Sequence, residues 1–222
     1  MIALLKKDFL TSRFIYLVIT LIVIIGLIIV NTINPQGAFI IALIASVLIP
    51  VIINKFTVTE ELRKNYDMFM NSFPINRRDV VVSKYLYYLI QHIVTVALLQ
   101  GVVLFLNRGE EGLFITILLA QGAALIYFIF FIGAPNLVYY CFDYSTAMKY
   151  SSIIIILVAN TPIILTAVVK EINPNAMQQL LKAIETGGNP IYNLAGMVII
   201  GALVIYGAII GISIKGYKRR DL

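Results

Sequence analysis

The side chains best placed to do chemistry are two adjacent carboxylates, Glu60 and Glu61, which two cations, Arg63 and Lys64, follow closely. Paired glutamates can support metal-dependent hydrolysis when several histidines lie nearby, but His92 is the single histidine of the sequence. The sequence also lacks the motifs G-x-x-x-x-G-K-[ST], H-E-x-x-H and G-x-S-x-G. We therefore predict no enzyme activity, no catalytic residue and no metal site.

The composition is that of a membrane protein. Of the 222 residues, 60% are apolar and 13% are charged, and the mean hydropathy is +0.94. A soluble domain carries about a quarter of its residues as charged side chains, because its surface faces water. The single cysteine, Cys141, excludes an internal disulfide and a cysteine-rich zinc site. The sequence thus predicts a surface that faces the lipid bilayer.

Six apolar stretches are long enough to cross a bilayer as helices, since eighteen residues at about 1.5 Å each span about 27 Å. They lie at residues 14–31, 37–54, 84–106, 113–133, 151–169 and 191–214. Helices are expected because a helix satisfies its own backbone hydrogen bonds in lipid. No small-residue cleavage site follows the first stretch, so we interpret it as a retained helix. The predicted fold is an all-α membrane protein, with residues 1–222 in a single transmembrane domain.

The basic residues are distributed unevenly between the two predicted sides of the membrane. Fourteen lie on the side that contains residues 1–13, 55–83, 134–150 and 215–222, counting Lys84 at the start of the third span. The other side has three, which are Arg108, Lys170 and Lys182. Because cytoplasmic loops carry the excess of Lys and Arg, both termini are predicted to be cytoplasmic. The net charge of +6 then needs no nucleic acid as a partner.

Two amphipathic segments flank the predicted spans. Residues 1–13 are predicted to form an interfacial helix that lies flat on the cytoplasmic side, although a plain charged flank is the alternative. Residues 173–188 are predicted to form a short external helix, because Pro174 suits a first helical position and Gly187 a helix end. This external helix either covers a transport pathway or is a simple surface helix.

The cytosolic loop at 55–83 has its own helical signals. Thr57 and Glu60 match a capping box, which predicts a new helix at this point. An apolar stripe along that helix would include Phe69 and Phe73. After Pro74, Asn76 is predicted to cap the helix that leads into the third span. The stripe suits either docking onto a cytosolic partner or packing on the protein's own helix ends, and the residues leave both readings open.

Polar residues inside the predicted spans are sparse. The candidates for a transport pathway or for helix packing are His92, Gln100, Gln121 and Asn160. No acidic residue lies deep in a predicted span, which argues against proton- or sodium-coupled transport. In the sixth span, Gly207 and Gly211 form a G-x-x-x-G pattern that permits close approach of another helix.

Three segments connect the chain with a known family. Leu4–Leu10 (LLKKDFL) resembles an interfacial helix, and Glu60–Leu86 resembles a main cytosolic loop with an acidic pair, a proline turn and Ser-Lys-Tyr. Phe142–Ser152 resembles a second cytosolic loop, although the usual glycine-and-lysine pattern there is blurred. In these features, and in layout over essentially the whole chain, the protein resembles the membrane subunits of ABC-2-type exporters. These are six-helix permeases whose ATPase is a separate polypeptide.

The resemblance implies a type V exporter-like fold with both termini inside and a cytosolic coupling helix at 58–73. It implies that two permeases, alike or different, bind two cytosolic ABC ATPases. ATP and Mg²⁺ would be bound by those partners, with no cofactor on this chain. The contact surface for the ATPase would comprise Glu60, Glu61, Arg63 and Lys64, with Phe69 and Phe73 as apolar anchors.

The expected cargo is apolar or amphipathic, because the spans contain few charges. The chain is also similar to staphylococcal permeases that export phenol-soluble modulins, which are amphipathic cytolytic peptides, and this implies a bacterial plasma membrane. Export of lipids, antibiotics or bacteriocins stays open. Two other classes also stay open: an ion-coupled secondary transporter or channel, which would need no ATPase, and a membrane scaffold or assembly factor, which would move no cargo.

Overall fold

The computed structural model of the protein describes residues 1–63, 76–108, 113–142 and 189–219, together with positions 150, 153, 160 and 171. The part of the chain that the structure describes is helical and contains no strand. The α-helices are α1 (Ile2–Ile33), α2 (Pro35–Arg63), α3 (Arg77–Leu106), α4 (Leu113–Phe128), α5 (Ala134–Cys141) and α6 (Asn189–Arg219). A π-helical segment, Ile129–Gly133, joins α4 to α5.

Five helical stretches in the described ranges are long and apolar enough to cross a membrane. They are Ile2–Ile33, Pro35–Glu61, Arg77–Leu106, Thr116–Cys141 and Ala195–Arg219. They overlap five of the six predicted spans, and the prediction of an all-α membrane protein is confirmed for these residues. The predicted span at 151–169 and the predicted external helix at 173–188 lie outside the described residues, apart from positions 153 and 160 within the former.

The first helix differs from the prediction, because no separate interfacial segment precedes the span. α1 runs from Ile2 to Ile33 without a break, and at about 1.5 Å per residue it is about 48 Å long. No Gly or Pro occurs among residues 1–13 to end a helix. The Ser12 hydroxyl donates to the Asp8 carbonyl (3.0 Å) within the same helix. Residues 2–13 are therefore the first part of one continuous helix in the structure.

The second helix also continues through a predicted boundary. α2 extends through Thr57 to Arg63, and the Thr57 hydroxyl donates to the carbonyls of Ile53 and Asn54, both at 3.0 Å. Its hydroxyl is thus used inside a helix, so the predicted capping box at Thr57 is wrong. The predicted cap at Asn76 is confirmed, because its side chain accepts a hydrogen bond from the Arg78 amide at 3.1 Å.

The fourth span continues past residue 133, where its sequence-based prediction ended, because a π-turn accommodates a proline. Pro135 has no N–H to donate to the Phe131 carbonyl, and its ring crowds that carbonyl. The chain widens into the π-helical segment just before it, where the Ala134 amide bonds to the Ile129 carbonyl. Helical structure then resumes as far as Cys141.

The helices pack so that the charged helix ends meet at one end of the bundle. α1, α2 and α3 contact one another, while α6 packs on α3, α4 and α5. α1 and α3 run parallel, since the Asn107 amide of α3 donates to Asn31 of α1 (2.9 Å) near their C-terminal ends. At the other end of the bundle, Arg77 at the start of α3 donates to the Tyr217 carbonyl near the end of α6 (3.2 Å). We call this second end, which also holds Lys84, the charged end.

Candidate functional site

Four charged side chains from three helices meet at the charged end, and we call them the ionic cluster: Lys7 and Asp8 of α1, Glu61 of α2 and Lys84 of α3. Glu61 Oε1 lies 2.6 Å from Lys7 Nζ and 2.5 Å from Lys84 Nζ. Asp8 Oδ1 lies 3.0 Å from Lys7 Nζ and 3.4 Å from Lys84 Nζ. Each ammonium group contacts both carboxylates, so the four side chains form a closed ring of alternating charge.

The ionic cluster is shielded from solvent. The side chains of Asp8, Lys84 and Glu61 are 2%, 8% and 14% exposed, and that of Lys7 is 32% exposed. Burying an ion costs several kcal/mol, which attraction offsets only when the partners are close and well oriented. Among the described residues, two cations balance two anions here, so the loss of one member leaves a net charge in a poorly solvated place. The cluster therefore holds the charged ends of α1, α2 and α3 together.

Hydroxyl hydrogen bonds extend this junction away from the charged end. The Thr57 hydroxyl of α2 lies 2.5 Å from the Tyr88 hydroxyl of α3, and Ser12 of α1 bonds to Tyr87 of α3. Further along, the hydroxyls of Tyr16 and Thr95 are 3.0 Å apart. Such bonds contribute about 0.6 kcal/mol each on average between membrane helices. Together they fasten α1 and α2 to successive turns of α3.

A neighbouring face of α3 is joined to the second half of the bundle through Tyr85. Its hydroxyl donates to the Gly133 carbonyl of the π-helical segment (3.1 Å) and lies 2.8 Å from the Ser213 hydroxyl of α6. In return, the Tyr206 hydroxyl of α6 donates to the Tyr85 carbonyl (2.8 Å). Lys84 and Tyr85 are consecutive residues, so a movement of the ionic cluster acts directly on the helix that contacts α6.

The predicted ATPase-contact residues separate into different environments. Glu61 lies inside the ionic cluster, with its carboxylate between two lysines. Glu60 precedes it on α2 and is half-buried, and Arg63 is the last residue of that helix. The other three predicted contact residues, Lys64, Phe69 and Phe73, lie outside the described residues. Of the acidic pair, Glu61 thus belongs to an internal network.

The predicted polar residues of the spans also differ in their surroundings. His92 is 3% exposed; its Nδ1 lies 2.9 Å from the Ser46 carbonyl of α2, and its ring stacks on Phe128 of α4 with centroids 4.4 Å apart. The side-chain polar atoms of Gln100 and Gln121 have no hydrogen-bond partner among the described residues. Asn160 is an exposed helical position. His92 is therefore a packing contact between helices, and the two glutamines place polar atoms in the interior.

Sequence reasoning missed Lys7, Asp8 and Lys84 as site residues, although a signal was present. Asp8 is the only acidic residue before Glu60, and Lys84 follows a valine-rich run at the start of α3. A charged side chain that helix packing buries needs a partner of opposite charge. Within the described ranges, no three His, Cys, Asp or Glu side chains come together in a way that could hold a metal ion. The arrangement of the ionic cluster is suited to a mechanical role, in which it links helices.

Comparison with known proteins identifies the family of this chain. The sequence profile described as "ABC-2 family transporter protein" matches residues 3–218, a range that includes the whole ionic cluster. Neither the curated proteins nor the solved structures contain a significant match to this chain. The resemblance seen in the cytosolic segments is thus confirmed at the level of the family. With its apolar helices and this match over nearly its full length, the chain belongs to the ABC-2 family of membrane transporter proteins.

Proposed function

We propose that this chain is the permease subunit of an ATP-driven exporter and that it works with a separate cytosolic ABC ATPase. The family match over residues 3–218 is the observation that carries the proposal. The sequence contains no P-loop motif, so ATP and Mg²⁺ would be bound by the partner. The permease would act as a pair, either with itself or with a related chain, to match two ATPase subunits.

Coupling would run through the C-terminal end of α2. Glu61 is bonded to α1 through Lys7 and to α3 through Lys84, so a displacement of this helix end would reach three helices at once. Glu60 and Arg63 lie next to that junction on the same helix. We propose that these two residues contact the ATPase, together with Lys64, Phe69 and Phe73 of the following loop. Glu61 would pass the movement on from inside the protein.

The proposed topology has six spans with both termini in the cytoplasm. α4–α5 and α6 run parallel, because Gly122 lies beside Val198, Gly133 beside Ile209 and Gly216 beside Cys141. The end of α5 and the start of α6 are therefore on opposite sides of the bundle. A chain that joins them has to cross an odd number of times, which supports the span predicted at 151–169. Six crossings return the C-terminus to the side of the N-terminus.

The proposed cargo is apolar or amphipathic and enters from the cytoplasm or the inner leaflet. In the described spans, the charged side chains are concentrated at the charged end, and the interior polar groups include the uncharged amides of Gln100 and Gln121. Amphipathic peptides such as phenol-soluble modulins are the class to test first, because the sequence resembles their exporters. ATP-dependent uptake of a fluorescent amphipathic peptide into inside-out vesicles, compared with a hydrophilic peptide of equal length, measures this preference.

The first experiment is affinity purification of the tagged protein from gently solubilised membranes, with mass spectrometry of the proteins that accompany it. We expect a P-loop ATPase. Charge reversal in Glu60→Lys should lower its recovery roughly tenfold, the factor that about 1.4 kcal/mol of lost contact energy gives. Size-exclusion chromatography of this variant checks that the permease remains folded.

Glu61→Gln is the informative comparison. It should lower the thermal stability of the permease, since it removes an internal anion, and should reduce export more than it reduces ATPase recovery. Lys218→Glu, an exposed charge change on α6 at the same end, serves as the control for a general electrostatic effect. If no ATPase is recovered, or if Glu60→Lys leaves its recovery intact, the proposed partner or the proposed contact surface is wrong.

A further inference from the structure

We propose that a cavity between α1 and α3 binds an anionic phospholipid, with Arg13 pairing with the lipid phosphate. The cavity has a volume of about 200 Å³. Its lining is mainly apolar and includes Leu5 and Phe9 of α1 and Ile90 and Val94 of α3. The polar side chains at its wall include Arg13, which is exposed, and Gln91, which is buried.

The cavity lies at the level where lipid headgroups meet the hydrocarbon core. α1 has 32 residues and is about 48 Å long, about 18 Å more than a hydrocarbon core of about 30 Å. The uninterrupted apolar run of α1 begins at Phe14, so the excess length falls on the residues before it. Arg13 therefore stands at the membrane boundary, where a guanidinium group can reach phosphate groups.

The charge of Arg13 is available for an external anion. Asp8 is the only acidic residue of α1, and its carboxylate is occupied by Lys7 and Lys84 in the ionic cluster. Arg13 makes no ion pair or hydrogen bond with another described residue. A guanidinium group binds a phosphate through two parallel hydrogen bonds. In a zwitterionic lipid, the cation of the headgroup already balances the phosphate charge, so an anionic lipid should bind more strongly.

Gln91 is a buried polar side chain at the same depth. In the register of α1 and α3, Asp8 faces Lys84 and Tyr16 faces Thr95, which places Gln91 level with Arg13. Gln91 is 6% exposed, and its Oε1 has no hydrogen-bond partner among the described residues. A buried acceptor needs a donor. The Oε1 of Gln91 is enclosed by protein in this structure, so the preference for an anionic lipid rests on Arg13 and not on a contact with Gln91.

The size of the cavity favours a lipid chain over a peptide. An apolar cavity of about 150 Å³ accommodates a molecule the size of benzene, so 200 Å³ accommodates the upper part of one acyl chain. A helix about 10 Å wide fills about 400 Å³ for each 5.4 Å turn. An amphipathic helical peptide is therefore too large for this site. The lipid site is independent of the proposed ATPase and can be tested on the permease alone.

The test uses the purified full chain in phosphatidylcholine vesicles that contain a minority of phosphatidylglycerol with a photoreactive acyl chain. After illumination, mass spectrometry locates the labelled peptides. We expect labelling of the α1 and α3 segments that line the cavity, at a roughly fivefold higher yield than with a photoreactive phosphatidylcholine. This factor corresponds to about 1 kcal/mol for one basic residue at an anionic surface.

Two variants with matched controls decide the assignment. Arg13→Gln should abolish the preference for phosphatidylglycerol, whereas Lys6→Gln, an exposed cation of the same helix outside the cavity, should retain it. Val94→Trp should fill the cavity and reduce labelling there, whereas Ile93→Trp on the neighbouring exposed position should not. Equal labelling by both lipids, an unchanged preference in Arg13→Gln, or displacement of the probe by an amphipathic peptide would overturn the proposal.

Discussion

At the ionic cluster, the position of each charge depends on the other three. Glu61 accepts hydrogen bonds from two lysines that belong to different helices, and Asp8 lies close to the same two ammonium groups. Replacement of one carboxylate leaves two cations facing a single anion. The main loss of stability comes from the lysine charge that stays buried without its partner. That ion has lost its hydration on folding and no longer has a carboxylate to offset the loss.

Replacing Glu61 with glutamine should destabilise the protein by about 2 kcal/mol, less than the 3–5 kcal/mol for a fully buried pair, because the side chain remains 14% exposed. For a chain of this size, that lowers the melting temperature by roughly 4–8 °C. Lys6→Gln, which changes an exposed charge beside the cluster on α1, should change it by less than about 2 °C. Thermal melting in detergent, followed by size-exclusion chromatography, measures both. Equal melting temperatures for the two variants would contradict the role given to the cluster.

His92 offers a second test at the residue scale, because its hydrogen bond and its stacking contact can be separated. His92→Phe retains a ring against Phe128 but loses the bond to the Ser46 carbonyl, at a cost of about 0.6 kcal/mol, the mean for membrane helices. His92→Ala loses both and leaves a cavity, so it should cost at least about 2 kcal/mol. The same melting assay distinguishes them, and equal effects would show that ring packing contributes little.

At the scale of the element, the joins between helical segments decide how movement is transmitted. α1 and α2 each continue in one piece from their apolar part to the charged end. The part of α2 that follows Pro50 connects Glu61 with the membrane interior, because a proline inside a helix removes a hydrogen bond and bends the helix. The π-turn before Pro135 has a similar effect in the fourth span, since it keeps helical structure on both sides of the proline.

The contact of α5 with α6 depends on a glycine, and a matched substitution can show it. A Cβ added at Gly216 would contact the Cys141 side chain and lie 3.0 Å from its Cα, whereas one added at Gly211 meets nothing within 4 Å. Gly216→Ala should therefore destabilise the protein by about 1–3 kcal/mol through overpacking. Gly211→Ala should be neutral or stabilising by up to about 1 kcal/mol, because alanine favours helix.

The glycine comparison has an internal control. Adding Cys141→Ala to Gly216→Ala removes the sulfur contact and should recover part of the lost stability, which a double-mutant cycle on melting temperatures quantifies. The predicted close approach at Gly207 and Gly211 does not occur within the described structure, because both positions are open. Of the glycines described in α6, Gly216, outside that motif, lies against a backbone atom of another helix. If Gly216→Ala proved as stable as Gly211→Ala, the packing of these helices would be wrong.

At the scale of the whole molecule, the ends of the described helices make the sidedness testable. Ile2 and Lys218 lie at the charged end, and Arg108 follows α3 at the opposite end. In a Cys141→Ala background, a single cysteine at position 2 or 218 should react with a membrane-impermeant maleimide in inside-out vesicles. A cysteine at position 108 should react in intact cells. Labelling of positions 2 and 218 from opposite sides would exclude an even number of spans.

The sequence by itself determined the helical fold and the membrane location, because long apolar runs without charge can satisfy their backbone in lipid only as helices. It also predicted the cap at Asn76, since capping depends on near neighbours along the chain. It did not predict that helices continue past Arg13 and Thr57, because the change from apolar to amphipathic composition there resembles a boundary.

Only the tertiary structure decided which charges pair. Lys7 and Glu61 are 54 positions apart, and Glu61 and Lys84 are 23 apart; their contact depends on how three helices align, which no local pattern specifies. Sequence reasoning placed both glutamates on one contact surface, yet helix packing turned Glu61 toward the interior. In the same way, the cavity beside Arg13 exists because α1 and α3 run parallel in one particular register. Composition sets which segments become helices, whereas packing sets which side chains face one another.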